Sequence, residues 1–429
     1  ILIISYFFAP QNAMGAVRPT KLAKYLSRMG HEVTVLCGPG MNDRRDPTLA
    51  RDLAALREVH VIREWNPLRD RRAHAAKPAA AQAPVAPSAP AGGALHAARD
   101  AAYRWLRWQA DRSFRRRAVA ALGGLTGTYD VVFSTYAPWS VHEIAREAKR
   151  RGLARRWIAD FRDEVGTAFA WQKGKKARYL RMLRREADVL CAASQGFLEM
   201  MGFEDAGRVL SNGFDREDLP PAEAAPARTG RLRVVYCGML SMGRKGVGDR
   251  DLTPMFRALG ALIKRGQLAR SQVALVYAGG ESALMQRQAA ACGMGDLVED
   301  HGLVSREESI ALQRGADVLL MASWHMAAQR GILTGKLFEY MMMEKPIVCC
   351  MSGDLPGSGV KRVLEETGMG LCVEQAAGAA DEAALDAYMT DLAYRWKQGK
   401  PLLESKHPDE VETYAYPALA ARLAGWMER

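Results

Sequence analysis

Short apolar runs alternate with stretches of helical periodicity along most of the chain. Residues 1–6 make a run of strand length and residues 7–17 a loop rich in small side chains. Residues 18–29 carry Leu22, Ala23 and Leu26 at helical spacing before Gly30 closes the element. Further strands are predicted at 33–36, 131–134, 157–160 and 189–192, with a helix over 141–151 and a basic helix ahead of the last strand. Pro- and Ala-rich residues 220–229 read as a linker, after which apolar runs recur at 232–237, 273–278, 318–321 and 347–350. This alternation predicts parallel sheets covered by helices on both faces. The expected fold class is α/β, as two doubly wound, Rossmann-like domains at 1–218 and 219–405 facing each other across a cleft. Residues 406–429 are expected to form a C-terminal helix packing back towards the first domain. Sheets of this kind bind ligands at the carboxyl ends of their strands.

Residues 74–98 break the pattern. They are Ala, Pro, Gln and Gly with almost no large apolar side chain, and read as a flexible surface insertion. Just beyond, residues 103–117 set Trp105, Leu106, Trp108 and Phe114 among six arginines. Two readings stay open there: a helix lying on anionic lipid, or one packing its Trp and Leu inward.

The 429-residue composition, 48% hydrophobic and 25% charged, excludes a disordered chain, a collagen-like fibre and a small disulfide scaffold. No run of 18 apolar residues occurs, and the chain opens on its strand-like run without a basic leader, so no signal peptide is expected. Seven cysteines lack a CxxC pair and read as small buried hydrophobes. The net charge of +12 is unevenly spread: residues 1–200 hold 34 basic and 18 acidic side chains, the remainder 26 and 30. A half at +16 calls for a phosphate-bearing partner, an anionic membrane surface, or only a solvated Arg-rich exterior.

Two loops carry candidate chemistry. Residues 10–18 follow the first strand, and Gly15 with its small neighbours permits close backbone approach ahead of a helix N-terminus. The GxGxxG dinucleotide pattern is absent. Residues 331–346 depart from a P-loop, because three residues separate Gly331 from Gly335 and Leu337 stands where a magnesium-binding Ser or Thr is needed. ATP hydrolysis is therefore not expected. What remains is a polar, glycine-containing loop opening a helix, suited to a diphosphate at the helix tip and a ribose diol on Glu339. The plainer reading makes Gly335 a turn, Thr334 an N-cap and Glu339 a solvated residue.

Asp160-Phe161-Arg162-Asp163 closes a strand, where an Asp is placed to orient an acceptor hydroxyl or act as a base. The competing reading is an Asp–Arg pair bracing the loop. His142 falls in the first turn of a helix with Ser140 as predicted cap, and reads equally as an exposed helical His or an acceptor contact. His31 reads as structural; His325 lies just before the second loop.

Taken in order, these stretches resemble the GT-B glycosyltransferases of the large retaining family 4, in the bacterial surface-polysaccharide branch. In the first half the matching segments are Ser5-Tyr6-Phe7-Phe8-Ala9-Pro10 with Gly15-Ala16-Val17-Arg18-Pro19, and Gly30-His31-Glu32-Val33-Thr34-Val35. Tyr129-Asp130-Val131-Val132-Phe133-Ser134-Thr135, Ile158-Ala159-Asp160-Phe161-Arg162-Asp163 and Ser211-Asn212-Gly213-Phe214-Asp215 follow. In the second half they are Tyr236-Cys237-Gly238, Arg244-Lys245-Gly246, Arg250-Asp251-Leu252 and Thr334-Gly335-Lys336-Leu337-Phe338-Glu339-Tyr340.

The resemblance implies a nucleotide-sugar donor held mainly by the second domain and an acceptor held by the first. It implies that Glu339 holds the ribose hydroxyls and that Lys245 or Arg250 neutralises the diphosphate leaving group. Gly15, Gly331, Leu333, Thr334, Gly335 and Lys336 complete the donor side; Asp163 joins the catalytic residues; Arg18, Tyr136, His142 and Arg162 belong to the acceptor side. A fixed cation stabilises charge on the departing phosphate, so neither a metal nor another cofactor is required. Two departures stand out. The first Glu of the family's Glu-x7-Glu is replaced by Gly331, so the sugar must be read by backbone around 331–334 or by another side chain. Tyr136-Ala137-Pro138 stands where relatives often place a His.

The expected function is sugar transfer from a UDP donor of N-acetylated hexosamine or deoxyhexosamine type to a lipid-linked glycan or polysaccharide, with retention. The expected location is cytoplasmic and peripheral on an anionic membrane surface, with no nucleic-acid partner. Two rivals are a GT-B sugar-nucleotide epimerase and a catalytically silent scaffold in a polysaccharide-assembly complex.

Overall fold

The computed structural model describes residues 1–40, 45–67, 94–166, 173–220, 230–240, 250–327, 329–404 and 406–428. The chain forms two compact units: Ile1–Ala193 with Phe197–Leu210 and Ala420–Arg429, and Ser194–Gly196 with Ser211–Leu419.

The first unit contains β1 (Leu2–Ser5), α1 (Met14–Arg28), β2 (Thr34–Cys37), α2 (Pro47–Asp52), β3 (Glu58–Val61), α3 (Ala94–Ala121) and β4 (Tyr129–Tyr136). It continues with α4 (Ser140–Arg150), β5 (Ala154–Phe161), α5 (Lys173–Glu186), β6 (Val189–Ala192), α6 (Gln195–Met201) and β7 (Gly207–Val209). Its seven strands run parallel in the order β3-β2-β1-β4-β5-β6-β7. The second unit contains β8 (Leu232–Cys237), α7 (Thr253–Lys264), β9 (Val273–Ala278), α8 (Ser282–Ala291), β10 (Val298–Asp300), α9 (Arg306–Arg314) and β11 (Val318–Trp324). After these come α10 (Gly335–Met342), β12 (Ile347–Ser352), α11 (Gly359–Thr367), β13 (Gly370–Glu374), α12 (Ala379–Lys397), α13 (Pro408–Glu412) and α14 (Tyr416–Met427). Its six strands are also parallel, in the order β10-β9-β8-β11-β12-β13. From Ala420 onward α14 belongs to the first unit, where the Met427 carbonyl accepts from the Arg156 guanidinium at 3.1 Å.

Central strands are apolar along their whole length because helices cover both sheet faces: β2 and β9 are buried at every position. This is why the sequence locates them. The four edge strands β3, β7, β10 and β13 are short, mixed in polarity and partly exposed, and the sequence reading misses all four. Helix starts are marked locally in α9, where Ser305 and Glu308 form a reciprocal capping box, and in α11, where Ser358 accepts from the Lys361 amide at 3.2 Å.

Three expectations are corrected. Helix α1 begins at Met14, not at 18, so Gly15 lies inside its first turn. Residues 94–98, taken as the end of the insertion, open α3; residues 74–93 lie outside the described residues. Ser140 is the first residue of α4 and caps nothing: its hydroxyl donates to Asp111 instead. Within residues 103–117 of α3, Phe114 packs inward and is fully buried, while Trp105 is exposed. The seven cysteines are free, six of them buried. Among the described residues no helix is long and apolar enough to cross a membrane.

One buried ion pair joins the strands of the first unit from within. Arg18 on α1 donates to Asp160 near the end of β5 at 2.7 and 3.1 Å and to the Leu210 carbonyl at 2.6 Å. Asp160 also accepts from the Thr135 hydroxyl on β4 at 2.7 Å. Both charged side chains are essentially inaccessible to solvent. Asp160→Ala leaves the Arg18 guanidinium buried without its carboxylate, so unfolding in denaturant is expected to show a loss of about 3–5 kcal/mol. A change below about 1 kcal/mol would contradict this brace.

Candidate functional site

In the second unit, β8 and β11 are neighbours whose following chain segments leave in opposite directions, the switch point at which such sheets take ligands. Tyr236 and Cys237 end β8, and the chain turns at Gly238 with φ +125°. A Cβ there would lie 2.7 Å from Lys336 Nζ, so only glycine fits both the dihedral and the approach. Lys336, in the first turn of α10, lays its ammonium over the Tyr236 ring at 4.0 Å from the centroid. Burial, aided by the nearby Arg250 charge, brings the Lys336 pKa down to about 7.

Arg250 donates to the Met239 carbonyl and sets its guanidinium 5.8 Å from the centre of the Trp324 ring. Among the described residues its buried Nε has no hydrogen-bond partner, and neither has the Thr334 hydroxyl. Thr334 takes the N-cap position of α10 but its side chain caps nothing. The helix tip therefore offers amides, a hydroxyl, an ammonium and a guanidinium to an anion. Gly331 turns at φ +78°, Leu333 packs near Gly359, and Gly335 begins the helix.

Glu339 follows Lys336 by one turn and is 28% exposed. Its Oε1 accepts from Gln313 Nε2 at 2.7 Å, and its Oε2 lies 3.6 Å from the Arg306 guanidinium. Gln313 is wholly buried and also donates to Ser309 at 3.1 Å. His325 holds its Nδ1 3.1 Å from the Leu355 carbonyl, so that nitrogen carries the proton. Lys245 lies outside the described residues.

In the first unit, Arg162 follows β5, donates to the Tyr136 carbonyl at 2.6 Å and stacks over Phe7 at 5.2 Å. Burial lowers its pKa. A Cβ on Gly15 would fall 2.0 Å from this guanidinium, so the small residue makes room for Arg162. Asp163 is 62% exposed and 3.8 Å from Arg162. Gly15, Tyr136, Arg162 and Asp163 thus form one group. Arg18 stands apart, its guanidinium occupied by Asp160 and Leu210.

His142 is fully buried, which excludes the exposed helical reading. Its Nδ1 lies 2.7 Å from the Ser134 hydroxyl, its Nε2 has no hydrogen-bond partner among the described residues, and Phe161 meets it edge-on at 4.7 Å. Burial pushes its pKa down to about 3, so the ring is neutral at physiological pH.

Residues 231–391 match the family model described as Glycosyl transferases group 1. Among solved structures, the Candida albicans trehalose-6-phosphate phosphatase N-terminal domain superposes with a TM-score of 0.62 at 13% identity, over 100% of this chain and 96% of that one. Sucrose-phosphate synthase from Thermosynechococcus elongatus gives 0.59 at 14%, over 100% and 98%. A putative UDP-N-acetylglucosamine 2-epimerase from Listeria monocytogenes gives 0.52 at 11%, over 100% and 96%. No curated protein sequence matches the chain. The chain has the GT-B fold, and its residues 231–391 are similar to the group 1 glycosyl transferases.

Within the second unit, Lys336 and Arg250 approach the turn at Gly238–Met239, Thr334 and Gly335 precede Lys336 at the tip of α10, and Glu339 lies a turn away. Sequence reasoning overlooked Gln313, and it placed Tyr236 in a matching segment without giving it a role of its own. Tyr236 hides in the apolar run of β8; Gln313 follows Ile310 by three on the buried face of α9, a polar residue at a core position.

The Lys336 ammonium is charged below about pH 7 and neutral above, and a diphosphate favours the charged form. Affinity for UDP is therefore expected to fall as pH rises from 7 to 9, by up to about tenfold per unit. Over this range UDP keeps its charge, since a terminal phosphate loses its second proton near about 6. Calorimetry at pH 8 in two buffers should show proton uptake, and Lys336→Arg should flatten the profile. A flat wild-type profile would remove Lys336 from the anion site.

Proposed function

We propose that this protein transfers a sugar from a nucleoside-diphosphate donor, on UDP, to a lipid-linked glycan or surface polysaccharide, with retention at the anomeric carbon. The group 1 domain and GT-B fold support glycosyltransferase activity. The observation that carries the finer reading is the convergence of Lys336 and Arg250 on the turn at Gly238, with Arg250 Nε and the Thr334 hydroxyl unpartnered among the described residues.

In this reading the two cations and the tip of α10 receive the diphosphate. Negative charge grows on that group as the glycosidic bond breaks, and preorganised cations stabilise it without a metal or other cofactor. Lys245, by resemblance, adds to the same site. Glu339 accepts from the ribose hydroxyls, and the Gln313 amide holds its other oxygen in place. Gly331 puts no carboxylate beside the sugar, so backbone groups at 331–334 read it. Asp163, Arg162 and Tyr136 serve the acceptor, working from the cytoplasmic side.

Glu339→Ala is expected to raise the donor KM at least tenfold with a smaller change in kcat, as for a lost charge-assisted hydrogen bond. Gln313→Leu should raise KM less, because the carboxylate remains but is no longer oriented. Arg250→Ala should lower kcat about 10²-fold. Screening UDP-, GDP- and dTDP-sugars against membrane lipid extracts by mass spectrometry tests the whole reading. Epimerised or eliminated sugar from donor alone would replace transfer by epimerisation, and no affinity for any nucleoside diphosphate would leave a scaffold.

A further inference from the structure

Helix α3 has two faces of different character. Ala110, Ser113, Phe114 and Ala118 recur at three- and four-residue spacing and are buried, with Phe114 edge-on to Tyr6 at 5.1 Å between centroids. Trp105, Trp108, Arg112 and Arg116 recur at the same spacing on the opposite side. There Trp105 is 48% exposed, Arg112 and Arg116 are exposed, and the Arg112 guanidinium lies 4.8 Å from the centre of the half-buried Trp108 ring. No carboxylate stands on this stripe.

Of the two acidic residues of α3, exposed Asp100 lies off this stripe by helical spacing and Asp111 is engaged elsewhere. Asp111 accepts from Ser140 of α4, and Glu143 of α4 pairs with Arg115 at 2.7 Å. A second flank of α4 holds α5, through Arg146 to Glu186 at 2.6 and 2.7 Å and Trp139 stacked on Tyr179 at 4.8 Å. Helix α5 adds exposed Arg178, Arg181 and Arg185 to this helical layer.

Indole rings are most stable at the boundary between water and hydrocarbon, and arginine meets lipid phosphate as a bidentate donor. We infer that the Trp105–Trp108–Arg112–Arg116 face of α3 docks this protein on an anionic phospholipid surface. The helix lies in the plane of that surface, its tryptophans seated among headgroups and its arginines on their phosphates, while the arginines of α5 add longer-range attraction. Such docking is independent of which sugar or acceptor the enzyme uses.

Flotation of the full chain with vesicles decides it. Wild type is expected to bind phosphatidylcholine vesicles carrying about 30% phosphatidylglycerol, to ignore phosphatidylcholine alone, and to release in high salt. Arg112→Glu with Arg116→Glu should lower partitioning about 100-fold, and Trp105→Ala with Trp108→Ala at least about tenfold. Circular dichroism and UDP affinity should stay at wild-type values in both. Bromine-labelled acyl chains should quench tryptophan emission in wild type and less in Trp105→Phe, a change too small to disturb folding. Equal binding by the variants, no preference for the anionic lipid, or binding to single-stranded DNA in place of vesicles would overturn the inference.

Discussion

Every strand of both sheets runs parallel, and the central strands are buried on both faces, so polar chemistry is confined to the strand ends. The second unit follows from this constraint. Where β8 and β11 send the chain in opposite directions, the end of one strand meets the helix tip that follows the other. Gly238 has no Cβ, so the Lys336 ammonium can settle on Tyr236 beside the turn. A larger residue at 238 would push the cation away and separate the parts of the anion site.

Arg18 and Lys336 show how context divides similar residues. Each is a basic residue in the first turns of a helix that follows a strand and a glycine-containing loop. Arg18 finds a buried carboxylate and a carbonyl, and its charge is satisfied within its own unit. Lys336 has no ion-pair partner among the described residues; an aromatic face and a second cation surround it, and its protonated form is disfavoured. One arrangement stabilises the fold. The other leaves a positive site that becomes more favourable when an anion arrives.

The charge along the chain takes on a different meaning in three dimensions. The basic excess lies in residues 1–200, while the half that carries the proposed anion site is slightly acidic. Gripping a diphosphate requires a few cations at one strand end, not a basic domain. The arginines of α3 and α5 are spread over the outside of the first unit, where they create a field and not a pocket.

Much of this was readable from local pattern. Continuous apolar runs located the central strands, and Lys336 and Glu339, three apart on one helix, stand on one face by helical geometry alone. The rest depended on pairing through space. Gln313 reaches Glu339 across 26 residues, Tyr236 meets Lys336 across a sheet, and Asp160 meets Arg18 across 142 residues. His142 read equally as exposed or as an acceptor contact because its neighbours on α4 are charged, yet the aromatic side chains of β5 and α5 enclose it. Sequence periodicity determines which residues belong to a strand or helix, since that is set by neighbours along the chain. Which cation keeps a carboxylate and which is left for a ligand was decided only by tertiary structure, because burial and charge pairing depend on strand order and register.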